Sequence, residues 1–309
     1  MLQLSEGLLL VISLAAAVMF YISNSLFAKK ISKTNSDYYI YMIIEGLVCA
    51  IGVVLASGGI GEISTYSIIF GVIFGLTVVG QLWLNLKALA IGPFSYTSVL
   101  ISLSTVIPTL SGIFWNETIT YMQMIGIVLM VICILLSSDK DSSQKKITTK
   151  WLVCCLTSAV LNGVIGVMQK IHQSSPYKYE SPIFLMVTMV TMALFGVVML
   201  IITRSKGKDS PDYEVSFDFK RISHILIPVS AGVALSLCHV INLNLSGRLD
   251  AAVLFPIVNI CPLVLTTFAA MILFNERLSA KRWVGIAIGI LSTLFVSGVM
   301  GTLVERIFG

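Results

Sequence analysis

Long apolar runs alternate with short polar seams along the whole chain. Ten runs stand out, at roughly 4–27, 38–57, 64–90, 93–115, 119–138, 150–171, 182–203, 224–247, 250–274 and 279–300. Each approaches or exceeds the length of about 20 mostly apolar residues that a helix needs to cross a bilayer. The pattern predicts an all-α integral membrane protein with ten transmembrane helices.

The seams repeat. Asn116-Glu117, with Gly126 nine residues after the glutamate, returns 159 residues later as Asn275-Glu276, followed by Gly285. At the same offset Leu84-Asn85-Leu86 meets Leu243-Asn244-Leu245. Each half holds five runs. Five is odd, so the second half enters the membrane upside down, the inverted-repeat plan of many secondary transporters. The expected division is a first five-helix repeat over 1–138, a cytoplasmic linker over 139–149, and a second five-helix repeat over 150–309. The segment "RSKGKDSPDYEVSFDFKR" mixes both charges and is expected as a solvated loop, not a nucleic-acid surface. After each Asn-Glu pair, Thr120 and Ser279 predict helix N-caps, with Gln123 and Arg282 on the first turn. Glu117 and Glu276 then occupy a water-exposed turn or take part in gating or in pairing with a basic group.

Composition removes the soluble classes. The chain is 57% hydrophobic and 11% charged, whereas soluble domains are about 25% charged. The first run lacks a basic start and is long for a signal peptide. The six cysteines all fall inside apolar runs and form no CxxC, so they read as small apolar thiols. No GxxxxGK[ST] stretch occurs, so a proton or substrate gradient is the expected energy source and no cofactor is expected. Sixteen of the twenty lysines and arginines fall in odd-numbered loops, and four in even loops and termini. The positive-inside rule then puts both termini outside a bacterial-type plasma membrane.

Polar residues inside membrane spans are costly and usually face other helices or water. Thr77, Gln81 and Asn85 share one face of span three; Ser236, His239, Asn242 and Ser246 share one face of span eight. Span six carries Ser158, Asn162, Gly166 and Gln169; span four carries Ser98, Ser102, Thr105, Thr109 and Gly112; span nine carries Asn259, Pro262 and Thr266; span one carries Tyr21 and Asn24. These groups either line a cavity or join packed helices. Trp83 and Tyr96 stack on a substrate or serve packing. Pro108, Pro256 and Pro262 interrupt spans four and nine, as hinges or as static kinks. Glu45 and His239 are the candidates for proton coupling; the alternatives are a structural pair between Glu45 and a lysine such as Lys87, and a core hydrogen bond for His239. Lys87, Lys170 and Arg248 end their spans, to snorkel or to line a cavity mouth. Gly71-x-x-x-Gly75 and Gly285-x-x-x-Gly289 permit close helix contact, the second within the chain or across a homodimer through span ten.

An apolar span, small residues or proline, Asn-Glu, a short turn, and a glycine nine residues on, all repeated in a second half, resembles the drug/metabolite transporter superfamily, EamA-like branch. The resemblance covers nearly the whole chain. It implies ten helices in two inverted repeats around a central cavity lined by helices 1, 3, 4, 6, 8 and 9, with helices 5 and 10 behind. It also implies cytoplasmic termini, the reverse of the charge count. On the matching spans the expected cavity residues are Asn24, Gln81, Trp83, Asn85, Tyr96, Ser102, Asn162, Gln169, His239, Asn242 and Asn259. The expected function is secondary-active transport of a small polar or amphipathic metabolite, an amino acid or related compound, by alternating access. The alternatives are a non-transporting membrane sensor or scaffold, and a lipid-modifying membrane enzyme. Small-molecule substrate and membrane lipid are the expected partners.

Overall fold

The computed structural model describes residues 5–115, 120–137, 148–207, 212–249 and 280–296, with positions 254–255, 257–258, 262, 265, 269 and 271–273 between the last two stretches. Every regular element among them is helical: α1 (Glu6–Leu26), α2 (Asn35–Ser57), α3 (Thr65–Ile91), α4 (Phe94–Ser102), α5 (Val106–Ser111), α6 (Tyr121–Ser137), α7 (Thr149–Ser174), α8 (Ser181–Ser205), α9 (Ile222–Ser246) and α10 (Ala280–Val296). Among the described residues, seven segments are long and apolar enough to cross a membrane; one of them, Tyr96–Trp115, joins α4 and α5. Span nine falls largely outside the described residues.

Short hydroxyl side chains start several helices. Ser64 accepts from the amide of Ser67 at 3.1 Å and Thr148 from that of Trp151 at 3.2 Å, each satisfying a donor that the first helical turn leaves open. The reciprocal cap predicted at Thr120 is present: the Thr120 amide donates to Gln123 Oε1 at 2.7 Å, and the Gln123 amide to Thr120 Oγ1 at 3.4 Å. Ser279 lies outside the described residues.

α1 packs along α9, α9 along α2, α2 along α8, α8 along α3 and α3 along α7, while α6 and α10 pair with each other. Small residues bring these backbones together. A Cβ on Gly71 or Gly75 of α3 would come within 3.0 and 2.8 Å of carbonyl oxygens of α8, and Thr188 of α8 donates to the Gly71 carbonyl at 3.2 Å. The glycines of α10 are likewise used inside the chain. Gly285 and Gly289 are buried, and Ser292 on the same helix donates to the Gly126 carbonyl of α6 at 2.7 Å.

One expectation is corrected in part. Residues 212–217 of the segment after α8 are docked on the start of α2, while Arg204–Lys206 and Asp218–Arg221 are exposed as expected. Asp37, fully buried at the start of α2, accepts four backbone N–H groups: Lys33 and Thr34 at 2.8 and 3.0 Å from its own loop, Ser216 and Phe217 at 2.8 and 2.9 Å from the α8–α9 connection. Asp212 takes the amide and side chain of Asn35 at 3.0 and 2.7 Å, and Phe217 is buried. A mixed-charge stretch looks solvated when its partners lie about 180 residues away in sequence. Span four is interrupted, as the proline at position 108 leads one to expect. It is not one helix but α4, a tight 3₁₀ turn at Leu103–Thr105, and α5. Pro108 has no N–H to bond the carbonyl of Ser104 four residues back, and its ring crowds that carbonyl.

Candidate functional site

The helices enclose a central cavity of about 920 Å³, its open mouth included. Tyr21 of α1, Gln81 of α3, Asn162 and Gln169 of α7, and His239 and Asn242 of α9 supply its polar wall, together with Ser104 from the tight turn; Phe20, Leu82, Ile165, Leu235, Phe255 and Val258 supply apolar wall. Span four is drawn in through its break, where Ser104 and Pro108 meet the cavity. Gly163 makes this possible, because a Cβ there would lie 2.6 Å from the Ile107 Cβ and 2.8 Å from the Ser104 carbonyl. The tight turn winds faster than an α-helix, so it presents Ser104 instead of the stripe containing Ser102 and Thr109.

The polar groups cross-link the wall. The Asn162 amide donates to Ser104 Oγ at 2.8 Å, Ser13 donates to Asn242 Oδ1 at 2.7 Å, and the Gln81 amide reaches Ser158 Oγ at 3.4 Å. Gln169 Nε2 lies 3.4 Å from His239 Nδ1. An amide nitrogen only donates, so this contact requires a neutral imidazole with its proton on Nε2. Each amide has more donors and acceptors than these bonds engage, leaving capacity for a ligand. No Asp, Glu, Lys or Arg lines the cavity among the described residues. The wall therefore suits a molecule with no net charge, a polar end and an apolar body.

The structure brings Gln81, Asn162, Gln169, His239 and Asn242 to one cavity. It places the other expected residues elsewhere. Asn24 is buried between α1 and α2, where it accepts from Tyr41 Oη. Trp83 turns away from the cavity and carries Lys87 Nζ 3.5 Å above its ring. Asn85 is buried one helical turn beyond Gln81, off the cavity lining. Tyr96 packs edge-on against Trp151 with ring centroids 6.5 Å apart. Ser102 is buried in α4, where its carbonyl accepts from Thr105 at 2.9 Å. These five share polar or aromatic character with the cavity residues but not their place on the wall, which angular position, depth along the helix and the span-four break set. Asn259, Glu117 and Glu276 lie outside the described residues. The Glu45–Lys87 pair does not form: Lys87 sits on Trp83, and both Glu45 oxygens are buried without a hydrogen-bond partner.

The polar stripes of the sequence include neither Ser104 nor His172. His172 is fully buried and stacks on Phe184 at 4.2 Å. Phe184 meets Phe74 at 5.0 Å, and Phe74 meets His239 at 6.0 Å. These rings form a continuous layer from the cavity toward the face that carries the α2–α3 and α7–α8 loops. The signal was the step of three from Gln169 to His172, just past the expected end of span six.

A multi-pass helical bundle closed around a polar cavity has the build of a membrane transport protein. Residues 149–298 match the model of the EamA-like transporter family. The chain's second half is thus similar to that family, within the drug/metabolite transporter superfamily, whose members are as a rule transporters and not enzymes. A solved structure titled only "Crystal structure of protein" is similar in fold, at a TM-score of 0.62 and 13% identity over 99% of this chain and 100% of its own. Comparison with curated proteins gave no match.

Proposed function

We propose that the chain is a secondary transporter that moves a small neutral or zwitterionic metabolite by alternating access, built as ten helices in two inverted five-helix repeats. The carrying observation is the central cavity, which takes its neutral hydrogen-bonding groups from α1, α3 and the broken span in the first half and from α7 and α9 in the second. Helix pairing supports the repeat. If α7, α8 and α9 are the counterparts of α1, α2 and α3, then exchanging the halves turns the α1–α9 contact into α7–α3 and α2–α9 into α8–α3, and returns α2–α8 and α6–α10 to themselves; all of these contacts are made. An interrupted helix at the midplane that offers backbone groups to a substrate is common in transporters. Asp37 at one face and Glu180 at the other, where Ser64 donates to it from its amide at 3.1 Å and from its hydroxyl, each tie the first half to the second. Such ties can form and break as opposite faces close and open.

The deciding measurement is metabolite uptake into proteoliposomes, with and without a pH gradient. Asn162→Ala and Gln81→Leu should each lower uptake of the responding substrate about tenfold while leaving the melting temperature within a few degrees, the loss of one buried hydrogen bond to a ligand being worth about 1–1.5 kcal/mol. Wild-type uptake that both variants preserve would refute the cavity as the substrate site. Proton coupling through Glu45 or His239 is part of the same reading.

Both termini lie outside on the charge count. A reporter that is active only in the cytoplasm should therefore be silent when fused at the C-terminus; an active fusion would reverse the topology and leave the transport reading standing. A homodimer through span ten would use the face bearing Trp283 and Leu291, both exposed, because the glycine face meets α6.

A further inference from the structure

A second cavity of about 640 Å³, its open mouth included, lies between the ends of α2, α7 and α9 and the start of α8. It shares two helices with the central cavity. Gln173 follows Gln169 by four residues on α7, and Leu243 follows His239 by four on α9. It therefore sits one helical turn, about 6 Å, closer to the face that carries the α2–α3 and α7–α8 loops. The Gln169–His239 contact bridges α7 and α9 between the two chambers, and the His172–Phe184 stack lies in the same layer.

The lining is chemically divided. Leu185, Val240 and Leu243 form an apolar wall. Lys178, exposed at the chamber's mouth with its ammonium 5.2 Å from the Tyr179 ring centroid, is the only charged residue among the described lining. Its turn is fixed in place: Gln173 donates to Ser181 Oγ at 2.9 Å, and Ser181 donates to the Lys178 carbonyl at 2.6 Å. Opposite, α2 ends at Ser57, and its last residues Ala56 and Ser57 line the chamber. A helix C-terminus carries partial negative charge and favours a cation. One cationic side chain, one negative helix end and an apolar wall between them complement an ammonium, a carboxylate and an aliphatic body.

We propose that this chamber is a second binding site, for a small aliphatic amino acid held with its carboxylate at Lys178 and its ammonium at the end of α2, and that it serves as an outer station on the route to the central cavity. Only its place on a route rests on the transport reading; binding stands apart from it.

The test uses the full chain in phosphatidylcholine nanodiscs and three probes of one skeleton: leucine, 4-methylpentanoate, which lacks the ammonium, and 3-methylbutylamine, which lacks the carboxylate. Binding is measured at equilibrium in the Asn162→Ala background, which weakens the central site. Leucine should bind saturably and most tightly, with the amine at least tenfold weaker. Lys178→Gln should weaken leucine about tenfold, the scale of a lost charge-assisted hydrogen bond, and should bring the acid and the amine to similar affinity. Ala56→Phe, at an exposed position on the chamber's edge, should abolish binding without a shift in melting temperature. Absence of saturable leucine binding, or binding indifferent to both Lys178→Gln and Ala56→Phe, would overturn the proposal. Leucine that binds here but is not taken up by proteoliposomes would leave the site standing and count against the route.

Discussion

Asp37→Asn should destabilise the protein severely, by about 3 kcal/mol or more. The carboxylate is fully buried and accepts four backbone amides, two on each oxygen. An asparagine keeps one acceptor oxygen. Whichever way its amide is placed, the NH2 group faces two N–H donors from either the α1–α2 loop or the α8–α9 connection. Buried donors without an acceptor cost about 1–3 kcal/mol each, and water entering the loop recovers only part of that. For a chain of this size the apparent melting temperature should fall by roughly 6–12 °C, taking about 2–4 °C per kcal/mol. Asp212→Asn is the internal comparison. Asp212 is half-buried and serves the amide and side chain of Asn35, so its variant should lose no more than about a third as much. Melting of the detergent-solubilised protein, followed by tryptophan fluorescence, gives both numbers. An Asp37→Asn protein that melts within about 2 °C of the parent would show that the connection does not hold the two halves together.

The contrast between those aspartates reflects what a single sequence carries. Helix existence was legible because a membrane span must satisfy its backbone internally and face lipid with apolar side chains, so its signal is local. Cap chemistry at Thr120 and Gln123 was legible for the same reason. The Asp37 tie was not: its donors come from residues 33–34 and 216–217, and no local pattern joins them. The site divides in the same way. Helical spacing found Gln81, Asn162, Gln169, His239 and Asn242, because their helices are continuous and a polar stripe keeps its direction. It failed at Ser102 and Tyr96, where the span breaks next to Pro108 and the register of exposed positions changes. Trp83 falls on the same helix as Gln81 but at another angle, and Asn85 shares Gln81's face one turn farther along, beyond the cavity, a depth that only packing against α7 and α8 decides.

Glu45→Gln should uncouple transport from the pH gradient while leaving exchange intact. Glu45 sits on α2 one turn from Tyr41, whose hydroxyl is given to Asn24, and one turn from Cys49. Both carboxyl oxygens are buried without a hydrogen-bond partner, and Lys87 is occupied by the Trp83 ring. Holding a bare charge at such a site costs roughly 2.5–3.5 kcal/mol on insertion scales. The carboxyl therefore rests there without charge, and a coupling role requires a second conformation in which water or a partner reaches it and the proton leaves. With one proton moved per neutral substrate, a gradient of one pH unit sustains at most about tenfold accumulation, since each tenfold ratio corresponds to 1.36 kcal/mol. Glutamine keeps the shape and cannot release a proton. Accumulation should therefore collapse to equal concentrations on both sides, while exchange of labelled for unlabelled substrate stays within about twofold of the parent. A purely structural role predicts another pattern, with exchange, accumulation and melting temperature falling together. His239→Gln separates the remaining candidate. Its ring accepts from Gln169 only while Nδ1 is unprotonated, so a coupling role there gives the same uncoupled phenotype from a cavity residue. If both variants accumulate substrate as the parent does under the imposed gradient, neither group carries the proton, and the driving force must be exchange, facilitated diffusion, or a cation held by the carbonyls freed beside Pro108.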